Sequence, residues 1–231
     1  IIKRSEYCGL AKNIVEGVTD VLAKHDKIIV LEDDLIVSST FLSYMNKSLD
    51  LYQSQEKVYQ ISAYMIPHNL PLKSPLFLRS PASWGWGTWK SAWKEFPQKI
   101  NNIYDLVSKN KKEDFNLDNS YPHYGHLQKN KQGIMQTWAV KWYAYIFYNN
   151  GLTLYPPKSL IRNIGHDGSG ENCGNNGNNI YTNQKIFSIE NIKYFKPAES
   201  LLCLILFKIF YYNRKTINHI DLLKYFKREY L

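Results

Sequence analysis

Three consecutive acids, Glu32-Asp33-Asp34, follow the apolar run Ile28-Ile29-Val30-Leu31. Side by side, three carboxylates repel one another, and each costs free energy to crowd or bury. A divalent cation relieves that cost, and hard oxygen ligands suit Mg2+ or Mn2+. The apolar run reads as a strand buried on both faces, of the kind found in parallel sheets. Its acids then lie at the carboxyl end of the strand, the edge where open α/β sheets bind ligands. The bland alternative is a solvated acidic turn, because acid triplets are common.

A second concentration of chemistry lies in Ser83-Trp84-Gly85-Trp86-Gly87-Thr88-Trp89, with Trp93 following. Gly85 and Gly87 allow close backbone approach or positive φ. An indole face packs against the C–H face of a sugar ring, so a glycine-flanked aromatic platform beside an acidic metal site suits a sugar. Trp84 and Trp86, on the glycine loop, are assigned to the site. Trp89 and Trp93, one helical turn apart, are assigned to the core. A third group, Gly165-His166-Asp167-Gly168-Ser169-Gly170-Glu171, sets an imidazole and two carboxylates between glycines. It reads as a mobile loop able to reach a metal or phosphates, or as a polar surface loop. The Asn/Gly-rich residues 172–179 are expected to be disordered without ligand. His123 and His126 have no acid or cysteine in helical register, which favours a structural or exposed role over metal binding.

The elements that must position these residues follow from periodicity. Leu10, Ile14, Val18, Val21 and Leu22 recur at helical spacing, which predicts an amphipathic helix over 10–25. A second helix is expected over 39–52, capped by Ser38 or Ser39, with Phe41, Leu42, Met45, Leu49 and Tyr52 inward. Residues 58–64 alternate as a strand, and Pro67, Pro71 and Pro75 punctuate a loop. Residues 99–133 are polar and read as a surface excursion or a lid. A helix is expected over 136–147, stopped at Asn149-Asn150-Gly151, then a short strand 152–155 halted by Pro156-Pro157. The apolar run 201–207 is too short to span a bilayer. With the basic residues around it, it suits either an anionic membrane surface or packing against a preceding part of the protein.

The 231 residues suffice for one domain with a sizeable core. Hydrophobic residues at 44% and charged residues at 21% exclude a disordered chain. The net charge of +9 favours anionic partners, but the charge is spread along the chain, so nucleic acid is not indicated. Cys8, Cys173 and Cys203 are odd in number and far apart, which gives neither a disulfide framework nor a zinc spacing and points to a reducing compartment.

Taken in order, Val30-Leu31-Glu32-Asp33-Asp34-Leu35, the tryptophan–glycine run, Gly151-Leu152-Thr153-Leu154-Tyr155-Pro156 and Asn163-Ile164-Gly165-His166-Asp167-Gly168-Ser169-Gly170 resemble bacterial sugar transferases of the GT-A type. These are similar in turn to the eukaryotic N-acetylglucosaminyltransferase that begins complex N-glycan branching. The resemblance covers residues 1 to about 170. It implies a GT-A-like, Rossmann-like mixed sheet flanked by helices over residues 1–198, followed by an apolar and basic helical segment over 199–231. It implies a nucleotide-sugar donor, a glycan or lipid-linked acceptor, Mn2+ or Mg2+ held through Asp34, and inversion at the anomeric carbon. Glu32 and Asp33 would orient the ribose or donor sugar. Trp84, Gly85 and Trp86 would shape the sugar pocket, and His166 would close over the phosphates. A cytoplasmic location, with peripheral contact at the inner membrane face, is expected.

Two departures stand out. The family's opening βαβ portion is missing, and the chain starts at Ile1-Ile2-Lys3-Arg4, so a truncated catalytic domain is expected. Where relatives carry the acid implied as catalytic base, two residues before Trp138, this chain has Gln136. An amide cannot accept a proton as a carboxylate does, which leaves Asp167 or Glu171 as substitute bases or the activity impaired. A degenerate sugar-binding protein and a basic membrane-peripheral module are the alternative classes.

Overall fold

The computed structural model describes residues 3–165 and 180–230, with the side chains of 228–230 excepted. Helix α1 (Leu10–Lys24) leads into strand β1 (Lys27–Val30), followed by β2 (Leu35–Val37) and helix α2 (Phe41–Leu51). Strands β3 (Val58–Ser62), β4 (Leu76–Leu78) and β5 (Trp86–Trp89) come next, then short helices α3 (Lys90–Trp93), α4 (Phe96–Lys99) and α5 (Lys112–Phe115). Helices α6 (His123–Lys131) and α7 (Ala139–Tyr148), strands β6 (Leu152–Tyr155) and β7 (Ile161–Asn163), and helices α8 (Leu201–Asn213) and α9 (His219–Tyr230) complete the order.

Five strands form a mixed sheet in the order β1-β5-β3-β6-β4. β5 is antiparallel to both β1 and β3, β3 is parallel to β6, and β4 is antiparallel to β6. Strands β1, β3 and β6 therefore point the same way, and the segments that follow them emerge at one edge of the sheet. Helices cover both faces. Ile29, Gly87 and Trp89 face α2, whose Met45 and Leu49 are fully buried, while Ile28, Val30 and Trp86 join the core on the α1 and α7 side.

The fold class, a mixed α/β sheet flanked by helices, is as expected; several elements are not. β1 carries apolar side chains to both faces, but it is an edge strand. Among the described residues it pairs with β5 alone, and its Ile28 and Ile29 stay half-buried. Residues 99–133 are no lid. Ile103, Val107, Phe115 and Leu127 are buried, and they anchor α5, α6 and two 3-10 turns to the α7 side of the core. Inside this packing His123 lies among Phe115, Tyr121 and Tyr143, where burial and then His126 push its imidazole down to about 3 and keep it neutral.

The apolar run 201–207 is spent largely on this chain's own core. Helix α8 packs on this chain's own sheet, with Phe207 edge-on to Tyr155 at 5.0 Å. Ser200 caps it, accepting from the Cys203 N–H. Arg79, just past β4, fixes this corner. Its Nη1 and Nη2 donate to Asp114 at 2.9 and 2.7 Å, its Nε donates to Glu199 at 3.0 Å, and it lies 5.0 Å over the Phe147 ring. No helix among the described residues is long and apolar enough to cross a membrane.

Two glycines separate packing from propensity. A Cβ at Gly87 would meet the Ile28 carbonyl oxygen at 2.9 Å and Leu49 and Met45 at 3.1 Å, whereas one on Gly17 in α1 meets nothing within 4 Å. Gly87→Ala is expected to cost about 1–3 kcal/mol by overpacking, and Gly17→Ala to gain ~0.5–1 kcal/mol from helix propensity. Both read out as opposite shifts of the urea midpoint at unchanged slope.

Candidate functional site

The three acids occupy the turn that carries the chain from β1 into β2, at the edge shared by the ends of β1, β3 and β6. Strand β2 pairs antiparallel with β7, Leu35 opposite Asn163 and Val37 opposite Ile161. This two-stranded ribbon draws the third motif onto the first. The Ile164 N–H donates to the Asp34 carbonyl oxygen at 2.9 Å, and Asn163 Nδ2 donates to Asp34 Oδ2 at 2.9 Å. The Gly165 N–H in turn donates to Asn163 Oδ1 at 2.9 Å. Any side chain at Gly165 would overlap the Asp34 carboxylate, with a Cβ only 2.9 Å from that of Asp34. Glycine is required here by proximity, not by backbone angle.

Asp34 is thus pinned through one oxygen. Its other oxygen, Oδ1, is buried and has no hydrogen-bond partner among the described residues. A buried carboxylate oxygen left bare is costly unless a cation or donor meets it. Glu32 shows the same crowding electrostatically. Burial, then the charges of Asp34 and Asp33, push its carboxyl up from 4.5 to about 7. Among the described residues no group of three or more His, Cys, Asp or Glu is arranged to hold a metal ion. A metal here would rest on Asp34 and take its remaining ligands from water and a bound phosphate, as Mg2+ commonly does.

The other predicted site residues divide. Trp84 is half-buried, set edge-on between Tyr64 and Tyr181 at 4.9 Å from each. Gly85 has φ 55°, and a Cβ there would press on Ile161 of β7 at 3.1 Å. Backbone bonds from Ala63 to Gly85, Leu160 to Ala63 and Ser38 to Leu160 lace this turn to the acid ribbon. Trp84 therefore stands on the ribbon's flank. Trp86 does not line a pocket. It is 0% exposed, stacked on Trp138 at 5.1 Å and close to Trp93 and Trp142. The reason is that residues 86–89 form a strand rather than a loop, so alternate side chains enter the core. Trp89 and Trp93 are buried, as expected.

Gln136 is exposed, but not on a helix. α7 starts at Ala139, and Thr137 spans the approach, its N–H donating to Asn130 Oδ1 and its hydroxyl accepting from the Ala139 N–H. A helical-wheel argument for its direction therefore fails. What places it is the contact between Trp138 and Trp86, the residue that pairs with Val30 just before the acids. His166, Asp167 and Glu171 lie outside the described residues, as does the whole 172–179 stretch. Asn163, which orients Asp34, escaped the sequence reading; its one signal was its place two residues ahead of Gly165.

No protein-family model and no curated protein matches this chain.

The raised Glu32 carboxyl has a measurable sign. Between pH 4.5 and about 7 the native state keeps a proton that the unfolded chain has released, so stability falls as pH rises through this window. In EDTA, Glu32→Gln is expected to flatten that decline and to raise the urea midpoint at pH 8 more than at pH 4.5. An unchanged pH profile would refute the crowding.

Proposed function

We propose that this chain is the catalytic domain of a metal-dependent, nucleotide-sugar-using glycosyltransferase of the GT-A kind that inverts at the anomeric carbon. The observation that carries the reading is the bare, buried Oδ1 of Asp34 at the carboxyl edge of the sheet, with the neighbouring oxygen held by Asn163. Such a carboxylate suits one-point ligation of a Mn2+ or Mg2+ ion that shares its other positions with a diphosphate. When bound, the ion offsets charge on the departing nucleoside diphosphate.

The residues have separable tasks. Asp34 would hold the ion, and Asn163 and Gly165 keep its carboxylate from rotating away. Glu32 and Asp33 would accept hydrogen bonds from the ribose or donor-sugar hydroxyls. Trp84, on its glycine hinge, offers an indole to a sugar ring. The acceptor, a glycan or a lipid-linked hydroxyl, would attack directly and must lose its proton. Gln136 can hydrogen-bond that hydroxyl but cannot take the proton. Asp167 and Glu171 are the remaining acids of the motif. The exposed amide at 136 also favours a second reading, a non-catalytic sugar-binding protein.

Calorimetry with Mn2+ and a panel of UDP-, GDP- and CMP-sugars tests the assignment. One donor is expected to bind in a metal-dependent way, and Asp34→Ala to weaken it by ~100-fold or more, the several kcal/mol that metal charge supplies. Binding unchanged in the variant would refute the site. Gln136→Glu is expected to raise transfer by at least about tenfold, within the usual range for a general base. A flat or lower rate there, with loss in Asp167→Asn or Glu171→Gln, would move the base to the glycine-rich motif.

A further inference from the structure

The same edge of the sheet holds a cavity of about 330 Å³ beyond the ends of β3 and β6. Its walls are residues 66–69 after β3, Lys158 and Ser159 after β6, parts of segment 180–187, and Thr216. Backbone bonds join these walls. The Asn69 N–H donates to Ile217 O at 2.8 Å, the Ile217 N–H to Pro67 O at 3.0 Å, and the Phe187 N–H to Ser159 O at 2.9 Å.

Two lysines converge at this cavity. Lys158 and Lys185 both lie over the Phe187 ring, 5.4 and 5.2 Å from its centroid. Neither is within 4.0 Å of a carboxylate among the described residues. The nearby histidine adds no charge. His68 Nε2 lies 2.9 Å from the Pro157 carbonyl, to which it must donate, so Nδ1 keeps its lone pair and accepts from the Leu70 N–H at 3.2 Å. Lys158 Nζ also donates to the His68 carbonyl at 2.8 Å, and two ammonium groups over one ring, with no carboxylate in reach among the described residues, suit an anion.

A bare anion would not complete the cavity. Gln184, 6% exposed, donates its amide N–H to the Met65 carbonyl, which fixes the amide's orientation. Its Oε1 is left buried with no hydrogen-bond partner among the described residues. That oxygen calls for a donor, which neither a carboxylate nor a fully ionised phosphate ester group supplies. We propose that this cavity binds a hydroxyl-bearing acid, a sugar unit carrying a carboxylate or a phosphate. Its acid group would sit between Lys158 and Lys185, and a hydroxyl would donate to Gln184 Oε1. The site shares no residue with the Asp34 ribbon, so it stands whether or not the sugar-transfer reading does.

Calorimetric titration of the full chain with glucuronate, glucose 6-phosphate, glucose and sulfate tests this. At least one of the two sugar acids is expected to bind in the millimolar range or tighter, with glucose and sulfate at least about tenfold weaker, the loss of one charge-assisted or one neutral contact. Preference for glucuronate assigns a carboxylate, and preference for glucose 6-phosphate a phosphate; either supports the site. Lys185 is exposed, so Lys185→Gln leaves the fold alone and is expected to weaken the acid at least about tenfold. Asp34→Asn is expected to leave that binding unchanged even where it abolishes nucleotide-sugar binding. Equal affinity for glucose, binding indifferent to Lys185→Gln, or no binding of either sugar acid at millimolar concentration would overturn the proposal.

Discussion

Like charge crowded at the end of one strand is the constraint on which the rest of this structure depends. Glu32, Asp33 and Asp34 cannot all be ionised, partly buried and unpartnered without cost. The protein answers locally. Glu32 holds its proton to near neutrality, and Asp34 is given one amide donor while its other oxygen stays bare. The β2–β7 ribbon exists at the point where those acids need holding, and Gly165 is small because the Asp34 carboxylate occupies the space a side chain would take. The free energy spent on this crowding is recoverable by whatever positive charge arrives there.

The elements with strong periodicity could be read directly. Helix α1 and strands β3 and β6 fall where the apolar residues put them, the helix because it buries one stripe and the strands because they are buried along most of their length. The ribbon strands could not be read. Leu35–Val37 is three residues long and mostly exposed, and Ile161–Asn163 is equally short, so neither shows a period. Their pairing is a tertiary fact: the 123 residues 38–160 separate the two strands along the chain. Residues 99–133 misled for the opposite reason. Their polar composition is real, but five scattered apolar residues, Ile103, Val107, Phe115, Leu117 and Leu127, carry the burial, a pattern too sparse to announce a core.

The tryptophan run shows how one chemical type can serve two ends. Trp84, Trp86 and Trp89 sit in a single stretch, and a reading by composition treats the first two alike. The strand that begins at Trp86 separates them. Trp86 becomes part of an indole stack with Trp93, Trp138 and Trp142, and Trp84 remains on the turn whose Gly85 needs positive φ. The stack then ties the helix that follows Gln136 to the strand that pairs with the acid-bearing one. That the acids would follow a strand, and that Trp84 would stay on a turn, was legible from type and spacing. Asn163 was not, since an asparagine acts here only through the carboxylate it faces.

The open side of β1 has a consequence of its own. A strand with unpaired N–H and C=O groups is a template onto which another extended chain can add. Lys27, at its first position, is engaged with Asp50, and the strand is four residues long, so charge and brevity act as the gatekeepers. Its three remaining residues are all β-branched and apolar. Along this short ledge, a second copy of the chain and any native neighbour would compete for the same row of hydrogen bonds.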